Sequence, residues 1–228
     1  MKIIILTLAT KGWQDVSAIS KPNKKRYAET HGYHFMQADY LIDDSRHASW
    51  NKILWIRKVI MFADWIFWTD CDSLIMNPKI KLEEIIGDTK KDLIIANVPV
   101  KESNRGEVNT GEFLIKRSYW TMEFLNKIYN INYLIKHPSW EQSAMHELLK
   151  NPIMESHVEY CEKRVLNSFI TPYEMDYEEG DFIAHFTGMG KDKKNLIGLM
   201  KKYATGEPYE CVDSGGRLLK MPESRNLQ

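Results

Sequence analysis

Two stretches of the chain are apolar at nearly every position rather than at alternate ones. Residues 2–8, KIIILTL, and 65–69, WIFWT, therefore predict strands covered on both faces. Asp92–Asn97, DLIIAN, reads as another buried strand, and Tyr33–Ala38, Thr110–Lys116 and Asp181–Phe186 as further strands. The mixed stretch Pro152–Tyr177 has room for a short strand around His157–Tyr160. Helical patterns fall between them. In Ser20–His31, SKPNKKRYAETH, Ser20 is placed to cap, Pro22 suits a first turn and Gly32 can end the helix. Trp50–Phe62, Leu82–Gly87, Tyr119–Asn130, Trp140–Lys150 and Lys191–Ala204 are the other predicted helices. Thr7–Trp13, Asp43–His47 and Lys101–Glu107 read as loops.

Strands alternating with helices predict βαβ units. The expected fold class is α/β: a Rossmann-like single domain over residues 1–205, with a mostly parallel central sheet flanked by helices. Residues 206–228, rich in Gly, Pro and polar groups, form a C-terminal tail expected to wrap loosely. Ligands of such sheets sit at the carboxyl ends of the strands.

Composition narrows the function classes. The chain has 228 residues, 43% hydrophobic and 27% charged, which is a globular balance and excludes wholesale disorder. Its 31 basic and 31 acidic residues cancel, so no net field draws it to nucleic acid or an anionic membrane. Cys71, Cys161 and Cys211 are odd in number and lack CxxC spacing, which predicts neither a zinc site nor a disulfide framework. That suits a reducing compartment. The apolar start is closed early by Lys11 and Gly12, and no run of about twenty apolar residues exists. The expected localisation is cytoplasmic; a membrane-anchored form would need a further segment.

Asp70-Cys71-Asp72 directly follows the apolar strand 65–69. In extended backbone, residues i and i+2 point the same way. Two carboxylates aimed at one point repel unless a cation lies between them, and oxygen ligands suit Mg²⁺ or Mn²⁺. The alternative is a turn or helix cap. His185 ends the strand DFIAHF, and Gly188, Gly190 and Lys191 follow it. Imidazole combined with carboxylates favours Mn²⁺ over Mg²⁺, whereas a core histidine is the plainer reading. Glycines ahead of a helix starting near Lys191 are expected to offer backbone N–H groups to a diphosphate, with Lys191 adding a point charge. The spacing is neither a Walker motif nor GxGxxG. Glu141-Gln142 at a helix start either cap it or face a pocket, and Asn109-Thr110-Gly111 is either a turn or part of a site.

Taken in order, these segments resemble a known family. They are Lys25-Arg26-Tyr27-Ala28 with His31-Gly32-Tyr33, Trp50-x-Lys52, Trp65 through Pro78, Asn109-Thr110-Gly111-x-Phe113-Leu114-Ile115, Trp140-Glu141-Gln142-Ser143-Ala144, Leu166-Asn167-Ser168 and Gly180 through Gly188. The ordered set is similar to the galactosyl/mannosyl/xylosyltransferase family of fungal α-galactosyltransferases, α-1,6-mannosyltransferases and plant xyloglucan xylosyltransferases. The resemblance covers about residues 3–190. It implies a GT-A fold and a retaining, Mn²⁺-dependent transfer of a hexose or pentose from a nucleotide sugar, UDP-sugars favoured, to a glycan hydroxyl. Mg²⁺ is the alternative ion. By position it makes Asp70, Asp72 and His185 the metal ligands and sets Gln142 and Glu141 near the anomeric carbon and acceptor. The donor is expected against Thr7, Ala9, Thr10, Lys52, Asp70, Asn109, Thr110, Gly188 and Lys191. Relatives often place a lysine close behind His-Phe-x-Gly; here Gly190 intervenes before Lys191. The acceptor cleft is expected near Asp43–Ser49, Asn104–Val108 and the tail. Two rival classes are a metal-dependent nucleotidyl- or phosphoryltransferase, which usually needs carboxylates for a second metal, and a non-catalytic sugar-binding module.

Overall fold

A computed structural model describes residues 1–98 and 107–221 of the chain. In chain order the elements are β1 (Ile3–Leu8), α1 (Gln14–His31), β2 (His34–Ala38), α2 (Asn51–Val59), β3 (Trp65–Thr69), β4 (Ser73–Ile75), α3 (Leu82–Ile86) and β5 (Leu93–Val98). Then come β6 (Glu107–Lys116), α4 (Tyr119–Tyr129), α5 (Trp140–Leu149), α6 (Pro152–Glu155), β7 (Val158–Glu162), α7 (Lys163–Leu166), β8 (Ser168–Phe169), β9 (Ile183–His185) and α8 (Lys193–Thr205).

The large sheet has the order β2-β1-β3-β6-β5-β7. β1 pairs parallel with β2 and β3, and β5 with β7, while β6 runs antiparallel between β3 and β5. Its strands alternate between two cores. Ile4, Leu6, Ile66, Trp68, Phe113 and Ile115 pack on one face with α2, α4 and α5. Ile3, Ile5, Trp65, Phe67 and Leu114 pack on the other with Tyr27 and Ala28 of α1, and with Leu82 and Ile86 of α3. This two-sided burial is why β1 and β3 carry no polar alternation. It confirms the α/β class with a mostly parallel central sheet.

A second, three-stranded sheet of order β4-β9-β8 sits beyond the carboxyl end of β3. β4 and β9 are antiparallel with Ser73 opposite His185, and the Phe186 amide donates to the Asp72 carbonyl at 2.9 Å. Residues far apart in the chain are thereby set side by side.

Several boundaries differ from the sequence expectation. The first helix begins at Gln14, so Ser20 is buried within it and Pro22 lies inside rather than in its first turn. Proline costs a helix the bond to the carbonyl one turn back. Pro22 and Ala18 are both exposed, so water can take up that carbonyl. Trp50–Phe62 splits into α2 flanked by 3-10 turns at Ala48–Trp50 and Ile60–Phe62. The expected loop at Lys101–Glu107 lies outside the described residues apart from Glu107, which begins β6. No helix among the described residues is long and apolar enough to cross a membrane.

The described part of the tail is docked rather than loose. The Tyr209 hydroxyl donates to Asn195 Oδ1 at 2.9 Å, the Val212 amide donates to the same oxygen at 3.0 Å, and Cys211 is buried. The Tyr209 ring lies over Gly198 of α8, where an added Cβ would come within 2.1 Å of ring carbons. Gly198→Ala is therefore expected to expel Tyr209 and detach the tail. The helix itself gains about 1 kcal/mol of propensity from the same change. Limited proteolysis should show faster cleavage after Thr205 with little change in helix content by circular dichroism.

Candidate functional site

The carboxyl ends of β1 and β3, the first half of β6, the start of α5 and the segment after β9 converge on one cavity of about 730 Å³. Of the residues expected in the site, Thr10, Lys52, Asp70, Asp72, Asn109, Thr110, Glu141, Gln142, His185, Gly188 and Lys191 line it. Thr7 and Ala9 do not; both are buried, and Leu8 and Thr10 line it instead. The strand alternation of β1 turns Thr7 and Ala9 away from the side of Leu8.

Asp70 and Asp72 meet differently from the expectation for extended chain. Asp70-Cys71-Asp72 is the turn between β3 and β4. The turn is held from several sides. The Asp70 amide donates to the Gly111 carbonyl at 2.8 Å, and the Asp70 carbonyl accepts from Ser73 Oγ at 2.9 Å and from the buried Lys24 ammonium. The Asp70 side chain accepts from Trp68 Nε1 at 2.7 Å and lies 3.2 Å from Lys52 Nζ. Opposite, His185 Nε2 is 3.7 Å from Asp72 Oδ1. One ligand atom from each of Asp70, Asp72 and His185 lies within 4.8 Å of the others. Two oxygens and one nitrogen, with a cavity on the open side, fit a divalent cation such as Mn²⁺ or Mg²⁺ that keeps positions for water or phosphate.

The electrostatics agree. Burial pushes the Asp72 carboxyl up to about 6, with Asp70 and Glu112 adding to the rise and His185 opposing it. Burial alone would lower the His185 imidazole, but Glu112, Asp72 and Asp70 outweigh it and raise it to about 9. Two carboxylates this close are relieved by a positive charge, and a cation bound there displaces the His185 proton.

A second network lies beneath. Lys52 is buried, and its Nζ donates to Glu141 Oε1 at 3.0 Å and to the Thr110 carbonyl at 2.6 Å. Burial disfavours its charge, yet Asp70 and Glu141 outweigh burial and hold its pKa above the ordinary lysine value. Thr110 Oγ1 also donates to Glu141 Oε1 at 3.1 Å, and the Thr110 amide donates to Gln142 Oε1 at 3.2 Å. Lys52 thus ties α2, β3, β6 and α5 together at the cavity floor.

The segment after His185 also departs from expectation. α8 starts at Lys193, and the Asp192 side chain accepts from the Asn195 amide at 3.3 Å. A carboxylate thus caps that helix end, and the glycines expected to offer amides, Gly188 and Gly190, lie ahead of it on the cavity wall. Lys191 is exposed on the cavity wall.

Four features of the site gained their meaning only from the structure, and of these Glu112 alone stood outside the residues quoted from the sequence. Glu112 and Asn167 are fully buried beside His185. Alternation along β6 places Glu112 on the side of Thr110, but nothing in the pattern marks an inward carboxylate as functional. Gly111 is the cradle of the imidazole: a Cβ there would stand 2.3 Å from His185 Cε1. Trp140, at φ +43, is the positive-φ residue other than glycine among the described residues, and its ring stacks on His47 at 3.7 Å with 3° between planes. Such backbone strain persists only where surrounding structure enforces it.

Fold and site together define a GT-A type glycosyltransferase architecture. A solved glycosyltransferase involved in glycosylating the major capsid of PBCV-1 superposes with TM-score 0.73 at 16% identity, covering 88% of this chain and 99% of that one. The galactosyltransferase LgtC superposes with TM-score 0.58 at 12% identity, covering 90% and 97%. At the level of sequence, residues 2–195 match the galactosyl transferase GMA12/MNN10 family, and the chain belongs to it. It is 27% identical to the probable α-1,6-mannosyltransferase MNN10 of Saccharomyces cerevisiae, over 90% of this chain and 65% of that protein. It is 26% identical to an uncharacterized α-1,2-galactosyltransferase of Schizosaccharomyces pombe, over 76% and 63%. The chain therefore spans slightly less than two thirds of the length of these curated relatives.

Proposed function

We propose that this chain is a retaining glycosyltransferase that moves a hexose or pentose from a nucleotide sugar, UDP-sugars favoured, to a glycan hydroxyl with the help of Mn²⁺. The observation that carries the reading is the Asp70–Asp72–His185 cluster on the wall of a 730 Å³ cavity, in a chain of this family. Mn²⁺ held there supplies Lewis-acid stabilisation of the negative charge that grows on a departing nucleoside diphosphate. Lys191, exposed on the same wall, adds positive potential where that charge develops. Thr10, Asn109 and Thr110 line the donor side, and Gly188 leaves room for phosphate beside His185.

The environment of Glu141 favours same-face attack over a covalent intermediate. Its Oε1 is engaged by Lys52 and Thr110 inside the protein, which suits an anchor better than a nucleophile. Gln142 lines the cavity, and its carbonyl oxygen is held by the Thr110 amide, so its NH₂ group is free to orient the donor sugar or acceptor. In this scheme the bond from the anomeric carbon to the diphosphate oxygen breaks as the acceptor oxygen attacks from the same side. The acceptor proton passes to the departing phosphate oxygen, so no dedicated base is required. The stacked His47–Trp140 pair at the cavity edge gives the acceptor's sugar ring a flat apolar surface.

Among the described residues this is the one such cluster of metal-ligating side chains, which suits a single-cation transferase better than a two-metal phosphoryltransferase. The test is calorimetry with UDP- and GDP-sugars, with and without Mn²⁺, followed by product analysis by NMR. Cation-dependent donor binding and an α-linked product are expected. Donor binding that ignores the cation, or an inverted product, would refute the reading.

A further inference from the structure

His185 reaches the cation cluster through Nε2, and its other ring nitrogen is buried in a chain of amides whose orientation is fixed from one end. The fixed end is the Gly111 backbone N–H, which can only donate. It donates to Asn109 Oδ1 at 2.8 Å. Asn109 therefore presents oxygen there, and the side-chain nitrogen of Asn167 donates to that same oxygen at 2.9 Å. With its nitrogen committed, Asn167 turns its oxygen to His185 Nδ1 at 2.8 Å. Glu112 Oε2 stands 3.1 Å from the same nitrogen as an ion-pair contact, and neither Glu112 oxygen has a hydrogen-bond partner although the residue is fully buried. Nδ1 thus faces two acceptors, Asn167 and Glu112, and must carry a hydrogen.

We propose that the Gly111 amide, Asn109 and Asn167 form a polarity relay that, together with Glu112, holds a proton on His185 Nδ1 and keeps Nε2 as the ligand atom for a divalent cation. Asn167 and Glu112 are positioning residues in this scheme; they touch the imidazole and never the substrate. The inference rests on the cation site described under the proposed function, and goes beyond it by assigning what selects the ligating nitrogen. A metal-bound imidazole whose other N–H is held by a carboxylate or amide is more basic and correctly aimed, and loss of such a partner typically weakens binding about 10–100-fold. The same chain of contacts explains why Gly111 has no side chain: a Cβ would meet His185 Nδ1 at 2.8 Å and Asn109 Oδ1 at 2.9 Å, breaking the relay at two points.

The test uses the whole chain and two independent measurements. Mn²⁺ affinity by calorimetry is expected to fall about 10–100-fold in Asn167→Leu and in Glu112→Gln. In Asn167→Asp, which keeps an acceptor oxygen toward Nδ1 but loses the donor to Asn109 Oδ1, the fall should be smaller than in Asn167→Leu. Thermal melts of each variant separate this from general destabilisation. Long-range ¹H–¹⁵N spectra, recorded on the metal-free protein at alkaline pH and on the Mg²⁺-loaded protein, are expected to show the Nδ1–H tautomer of His185. An Nε2–H tautomer in the metal-free spectrum would overturn the relay, as would unchanged Mn²⁺ affinity in both folded variants. If the wild type binds no divalent cation, the cation reading fails, and with it the assignment of Nε2 as a ligand. The metal-free spectrum would still decide which nitrogen the relay protonates.

Discussion

Asp72→Ala is expected to abolish divalent-cation binding and to reduce sugar transfer about a thousandfold or more. A cation at a developing diphosphate contributes several kcal/mol of transition-state stabilisation, and each 1.36 kcal/mol is about a factor of ten. The fold should survive the change. In the metal-free protein, burial and the neighbouring Asp70 and Glu112 work against the Asp72 carboxylate, while His185 favours it. Removing it relieves the first and forfeits the second, so the two effects oppose. The melting temperature without metal should therefore stay close to wild type, while the rise expected of the wild type with Mn²⁺ should vanish. Melts with and without Mn²⁺, beside calorimetry and turnover, check both halves. A variant that still gains stability from Mn²⁺ would place the cation elsewhere.

Lys52→Met should act the other way round, chiefly on the fold. The Lys52 side chain is 4% exposed, as is that of Glu141, while that of Asp70 is 30% exposed. Removing the cation leaves a buried Glu141 carboxylate with no counter-charge, a loss of about 3–5 kcal/mol for a buried pair broken on one side. Asp70, more open to water, adds less. Denaturant unfolding should show a large drop in midpoint at neutral pH. The double variant Lys52→Met with Glu141→Leu should recover much of it, because no buried charge is then left alone at that position. If Lys52 served only to grip the donor, the single variant would keep its stability and lose donor affinity alone.

The parts of the molecule legible in the sequence were those written in local pattern. β1 and β3 announce themselves because both faces are buried, and α4 and α5 lie within a residue or two of expectation. Asp70, Asp72 and His185 stand out because each follows an apolar strand. What escaped depends on distant partners. β4 and β8 are two or three residues long and exist as strands only because β9 lies between them. The early start of α1 was hidden by Pro22, which a first-turn reading explains equally well from composition alone. Lys52 looked like a helix lysine that reaches a donor, and only the three-dimensional meeting of Glu141, Thr110 and Asp70 shows that it is buried under the site. Glu112, and the role of Asn167 within the quoted Leu166-Asn167-Ser168, depend on tertiary contacts in the same way. A buried carboxylate in the middle of NTGEFLI carries no mark until the imidazole beside it is placed.

The pairing of β4 with β9 has a consequence for how the chain comes off the ribosome. Asp72 and His185 are more than a hundred residues apart, and β7, the last strand of the large sheet, is complete by Glu162. The whole six-stranded platform is thus encoded ahead of His185, the third member of the cluster. Closure of the Asp70–Asp72–His185 cluster then waits for β9. A stalled product ending before β9 would carry Asp70 and Asp72 without His185 beside them.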